Sequence, residues 1–319
     1  MRRLVLLLPL LLSATPAPSA APDLMRVAVL SDFNGSYGSL TYPPDLKSTL
    51  DRIINTWKPD LVLSAGDLIA GQKASLTDAN VRGMWAAFGR EVRAPLAQAA
   101  IPFVFALGNH DASLTRDRRE AAAYWKQFAP AGTVVDAAQY PFRYSLTRTD
   151  RAGRTLFLAV LDASGPGVDA AQRAWLAAQL GTPQARAAGV RLVVGHLPLA
   201  GVSEGKNRPG EVIAQAAALR EVMERGRVLA YVSGHHAAYY PARLGRLNVL
   251  NSGGIGGRDY VGFPGTARSV VSVLDIDLQA GSARLSAVDA GTGAAIDPTK
   301  LPAQINGLGG PLLRVNEFR

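Results

Sequence analysis

This sequence predicts an α/β fold of two packed, mixed β-sheets flanked by helices. Three observations carry that prediction. Short apolar runs of strand length alternate with longer stretches of helical period as far as about residue 232. Beyond that point the pattern changes to strands joined by glycine-rich turns. The four histidines, His110, His196, His235 and His236, all follow Gly or Gly-Asn where an apolar run ends. Side chains so placed gather at the carboxyl edge of an α/β sheet.

The elements follow in order. Residues 24–31 read as a strand. Residues 44–57 read as a helix with Leu46, Leu50, Ile53, Ile54 and Trp57 on one face. A strand at 61–65 is followed by a helix over 77–99 that Pro95 interrupts. Then come a strand at 102–107 and a helix at 116–128. The runs 142–146 and 155–161 form an antiparallel pair around a turn at 150–153. A helix at 168–180, a strand at 191–194, a helix at 211–225 and a strand at 228–232 continue the alternation. Strands at 247–250, 269–277 and 282–288 close it.

With 319 residues, 48% of them hydrophobic, the chain can bury one large core. Residues 22–296 read as one domain, and 297–319 as a Pro/Gly-rich tail packed on it or trailing it. Residues 1–21 read as a secretory signal. Arg2 and Arg3 precede an apolar run from Leu4 to Leu12, and small residues and prolines follow. The expected destination is periplasmic or secreted, with no membrane insertion after signal cleavage. With no cysteine, disulfides, lipid anchors and thiolate metal ligands are excluded. The net charge of +9 favours anionic ligands, but no dense Lys/Arg block points to nucleic acid.

Five short blocks carry the chemistry: Asp32-Phe33-Asn34, Gly66-Asp67, Gly108-Asn109-His110-Asp111, Gly195-His196 and Gly234-His235-His236. Imidazoles and carboxylates converging at strand ends are what a metal site needs. In this order the blocks resemble the calcineurin-like metallophosphoesterase superfamily, over about residues 25–257. Leu161-Asp162, Gln172 and Trp175-Leu176 look like its purple-acid-phosphatase-like and cyclic-nucleotide-phosphodiesterase-like branches. The resemblance implies an α/β/β/α sandwich, one or two divalent metal ions (Mn, Mg, Fe, Zn or Ca), and hydrolysis of phosphate mono- or diesters. It implies further that Asp32 binds one ion and Asp67 bridges two. Asn109, His196 and His235 bind the second ion, and His110 protonates the leaving group, oriented by Asp111.

Two departures fall on the same ion. Asn34 stands where the family has His, and Ala237 stands at the second His of the last block, with His236 one position early. Three explanations remain open. The first ion is a hard cation held by Asp32, Asp67, the Asn34 amide oxygen and water. Alternatively, His236 reaches in by a backbone rearrangement. Or the protein holds one ion or none, and binds a phosphate-containing ligand or partner with weak or no turnover. Arg258, after a glycine-rich run, and Tyr37 are candidate substrate contacts. Tyr42 and Arg116, Arg118 and Arg119 are read as half-buried or surface side chains. Residues 203–210 form a loop near His196, either a lid or a plain connection.

Overall fold

The structure is a computed structural model, and it describes residues 23–319. The expected signal segment lies outside the described residues. The chain opens with β1 (Met25–Val29), α1 (Pro44–Asp51), β2 (Leu61–Ser64), α2 (Asp78–Phe88), α3 (Ala94–Gln98) and β3 (Phe103–Phe105). After these come α4 (Asn109–Ala112), α5 (Thr115–Trp125), β4 (Thr133–Gln139), β5 (Arg143–Thr149) and β6 (Thr155–Val160). The middle of the chain forms α6 (Ala170–Leu180), α7 (Pro183–Ala187), β7 (Val190–Val194), α8 (Ala216–Arg225) and β8 (Ala230–Ser233). The rest is strand: β9 (Tyr239–Leu244), β10 (Leu247–Ser252), β11 (Val270–Asp277), β12 (Ser282–Asp289), β13 (Gln304–Gly307), β14 (Gly310–Arg314) and β15 (Glu317–Phe318).

Local chemistry explains several boundaries. Pro44 opens α1, where its missing N–H costs nothing. The helix runs on as a wider π-type turn to Trp57 and stops at Lys58, in the left-handed region with φ 44°. A capping box starts α2: Thr77 Oγ1 accepts from the Asn80 N–H, and the Asn80 side chain accepts from the Thr77 N–H.

The strands form two mixed sheets. The first has the order β15-β12-β11-β1-β2-β3, and the second β13-β14-β9-β10-β8-β7-β6-β5-β4. Alternate residues of β1 and β2 divide between two cores, as strand geometry requires. Val27, Val29, Leu61 and Leu63 share a core with Leu158, Val160, Leu192 and Val194 of the second sheet. Ala28 and Val62 face the other way, onto Leu46, Leu50, Trp85 and Phe88 of α1 and α2. Together these contacts make the predicted α/β fold of two packed mixed sheets with flanking helices.

Three expectations need correction. The helix expected over 211–225 begins only at Ala216. The N–H groups of Ile213 and Ala214 donate to Pro198 and Pro166 carbonyls, so that stretch is tied to neighbouring loops instead of coiling. β4 and β9 were not expected. β9 carries Pro241 opposite Leu250, and a proline inside a strand is a weak strand signal. The tail, expected packed on the domain or trailing it, forms strands that were not expected: β14 pairs with β9, and β15 pairs with β12. Its Ile305, Leu312 and Phe318 are buried.

Candidate metal centre

The parallel strands β1, β2, β3, β7 and β8 deliver the five blocks to one edge. Asp32, Asp67, Asn109, His196 and His235 each follow the carboxyl end of one of them. All five are buried. Three of them sit in the left-handed backbone region, Asp32 at φ 52°, Asp67 at 58° and His235 at 65°. Non-glycine residues adopt this region at a cost, and such positions cluster at functional sites. Tight packing fixes them: a Cβ on Gly108 would lie 2.1 Å from Asp67 Oδ1, and one on Gly234 would lie 2.2 Å from Asp32 Oδ2. Glycine is needed at both positions.

Four polar atoms meet at the centre. His196 Nε2 lies 2.8 Å from Asn109 Oδ1, 3.3 Å from Asp67 Oδ1 and 3.2 Å from His235 Nδ1. Their outer partners set which face points inward. His196 Nδ1 donates to the Ala65 carbonyl at 2.7 Å, leaving the Nε2 lone pair inside. Asn109 Nδ2 donates to Gln72 Oε1 at 2.7 Å, so its carbonyl oxygen faces in. His235 Nε2 donates to Glu211 Oε2 at 2.6 Å, which leaves the Nδ1 lone pair facing His196 Nε2 and the Lys206 ammonium, each at 3.2 Å. Such outer contacts fix tautomer and orientation in metal sites. A buried cluster of inward-facing acceptors calls for a cation, whether a metal ion, a proton on His196 or the Lys206 ammonium beside His235. Asp67, His196 and His235 also place ligand atoms within 4.8 Å of one another.

Electrostatics agree with the geometry. Burial works against a proton on His196, yet Asp67 and Asp32 raise it to about 9. Burial lowers His235 to about 4, so it is neutral and fit to ligate. Asp32 rises to about 7, chiefly through burial. Its Oδ1 accepts from the His235 N–H at 2.8 Å, while its buried Oδ2 has no partner. An orphaned carboxylate oxygen beside the four acceptors fits a cation site.

The other sequence-derived candidates divide. His110 lines the cavity, with Nε2 3.9 Å from Asp67 Oδ2. Tyr37, 55% exposed, stacks on its ring at 5.0 Å between centroids. Arg258 and Asn34 line the same cavity of about 560 Å³, together with Asp32, Lys206 and Ala237. Asn34 donates its amide to the Gly35 carbonyl. One expectation is corrected, and one of the open alternatives is closed. Asp111 does not orient His110: its carboxylate accepts from the N–H groups of Leu68, Ile69 and Gly108, and so pins the Asp67 loop. His236 does not reach the centre: its Nδ1 accepts from the Val202 and Ser203 N–H groups, and its Nε2 donates to the Glu211 carbonyl. The backbone bends on either side of His236, at His235 with φ 65° and at Ala237 with φ 45°, and so aims the two imidazoles apart.

Tyr42 donates to the Leu68 carbonyl. Arg116, Arg118 and Arg119 are engaged by Asp117, Asp162, and Asp78 with Glu120. Residues 203–210 are held down as a wall of the cavity, because Glu204 and Asn207 bond across to Asp259, Gly262 and Leu308. The sequence reading missed Gln72 and Glu211. Neither lies in a block, and no spacing marks them.

Two sheets packed face to face, with Asp, Asn and His converging from five strand ends, define a metal-centred α/β sandwich. The chain belongs to the calcineurin-like phosphoesterase family, which matches residues 25–239. That family uses divalent metals. The fold is similar to that of GAP50, described as the anchor in the inner membrane complex of Plasmodium. There the TM-score is 0.60 and the identity 16%, over 86% of this chain and 87% of the other. It is similar to purple acid phosphatase PPD1 from yellow lupin (Lupinus luteus) seeds, at TM-score 0.60 and 15% identity, over 87% of this chain and 53% of the other. A dimetal phosphatase from Danio rerio matches at TM-score 0.57 and 12% identity, over 86% and 98%. No curated protein matches the sequence.

Proposed function

We propose that the protein is a metal-dependent phosphoesterase that hydrolyses phosphate mono- or diesters, and that it acts after export to the periplasm or exterior. The inward-facing acceptor set of Asp67, Asn109, His196 and His235 carries this reading. A divalent ion held there would neutralise phosphoryl charge and acidify a water. The remaining steps belong to the chain. Asp32 lines the same cavity and keeps one carboxylate oxygen without a hydrogen-bond partner. His110, at the cavity wall under Tyr37, gives a proton to the leaving oxygen as its bond to phosphorus breaks and a water oxygen bonds to phosphorus. Tyr37 offers an exposed aromatic face to the organic part of the ester.

The test is metal analysis of purified protein together with an aryl phosphate assay across Mn, Mg, Fe, Zn and Ca. Wild type is expected to retain metal and turn over. Asp67→Ala is expected to lose both the metal and, on the order of, 1,000-fold or more of the rate. Folded, metal-loaded wild type with no turnover would instead support a second reading, a relative that binds a phosphate-containing ligand without hydrolysing it. Asn34 and Ala237 favour that alternative, since they give the cavity wall beside Asp32 no imidazole.

A further inference from the structure

The cavity wall that lacks imidazoles is not empty of charge. Lys206 closes a short 3-10 turn, Glu204–Lys206, and its side chain is only 16% exposed. Its ammonium nitrogen lies 3.2 Å and 3.3 Å from the two ring nitrogens of His235. The nearest carboxylate, Glu211, is 3.8 Å away and already bonded to His235 at 2.6 Å. Burial disfavours the ammonium, and Asp67 and Asp32 are the strongest charges favouring it.

The turn carrying Lys206 is anchored at both ends. Val202 and Ser203 donate to His236, Glu204 donates to Asp259, and Asn207 accepts from Leu308. On the other side, Gly254 packs closely against Asp32 and Ala237. A Cβ on Gly254 would lie 3.2 Å from the Ala237 Cβ and 2.7 Å from the Asp32 Cβ. The same glycine run leads to Arg258, whose N–H donates to the Ala237 carbonyl. Two cationic side chains thus line the same cavity as Asn34 and Ala237.

We propose that Lys206, backed by Arg258, takes the place of the family's first metal ion. In this reading its ammonium holds the non-bridging oxygens of a bound phosphate, and the site works with a single divalent ion at Asp67, Asn109, His196 and His235. The inference rests on the metal-dependent reading above. The Lys206 ammonium lies 3.2 Å from His235 Nδ1, so an ion bound through that nitrogen repels the ammonium off the ring, and a phosphate oxygen on the ion then receives it. Charge-assisted bonds to phosphate are among the strong ones, and a half-buried, anchored lysine loses little freedom in making them.

The test uses the full chain after saturation with Mn and desalting. Metal per chain is measured by mass spectrometry, and binding of inorganic phosphate by calorimetry, for wild type, Lys206→Met and Lys206→Arg. About one Mn per chain is expected in all three. Lys206→Met should weaken phosphate binding by about 10- to 100-fold, and Lys206→Arg should restore part of it. Unchanged metal content shows that the variants are folded. Two Mn per wild-type chain, or phosphate binding by Lys206→Met within about twofold of wild type, would overturn the inference. Wild type that retains no Mn yet binds phosphate through Lys206 would refute the metal-dependent reading while supporting Lys206 as the phosphate ligand.

Discussion

At the scale of single residues, what distinguishes this site is the direction of its hydrogen bonds. Ala65, Gln72 and Glu211 take the outward protons of His196, Asn109 and His235, so the acceptor atoms of these side chains face inward. Without an ion, the cheapest cation is a proton, and Asp67 and Asp32 hold His196 up to about 9 against the opposing effect of burial. The sign follows. Near neutral pH His196 binds a proton in the metal-free protein and must lose it on ligation, so metal affinity falls as pH falls below about 9. Calorimetry of Mn binding in two buffers of different ionisation heat should show about one proton released per ion near pH 7.5, and fewer above about pH 10. No release near neutrality would mean that His196 is not a ligand.

At the scale of elements, the last block splits its two histidines between different tasks. His235 sits in the left-handed region at φ 65° and turns inward. His236 turns outward and ties residues 202 and 203 to Glu211 through three bonds of 3.0–3.1 Å. Burial pushes its pKa down to about 3, so it is neutral, with Nδ1 an acceptor and Nε2 a donor. His236→Ala leaves two buried N–H groups and a carbonyl to find new partners, at a cost of about 2–4 kcal/mol. The expected readout is a Tm lower by roughly 5–10 °C with metal content unchanged. Loss of metal with Tm intact would return His236 to the ligand set. The sequence left open whether His236 reaches in beside His235. It did not show what would receive His236, because Val202 and Glu211 approach only through the loop packing.

At the scale of the whole molecule, the two sheets are joined at their edges by the last residues of the chain. β14 extends the second sheet beside β9, and β15 extends the first beside β12. Ending the chain at Leu301 would expose two sheet edges and remove the buried Ile305, Leu312 and Phe318. Each such side chain contributes about 1.5–3 kcal/mol by burial. The truncated protein should therefore show a broad, lowered thermal transition and self-association by light scattering. A monomer with wild-type Tm would show that these strands do not support the sandwich.

The sequence by itself determined the two-sheet fold, because hydrophobic periods of 2 and 3.6 are local and readable. It also determined which residues could meet, because His196, His235, Asp32, Asp67 and Asn109 each end an apolar run, and strand ends of one edge converge. Only the tertiary structure decided what those residues do. It turned Asp111 onto the backbone of Leu68 and Ile69, sent His236 to Val202 and Ser203, and brought Gln72 onto Asn109 and Glu211 and Lys206 onto His235, partners 37, 24 and 29 residues away in sequence. The physical reason is that a strand sets the position of a side chain, whereas its hydrogen-bond partner is supplied by loops that pack against it from elsewhere in the chain.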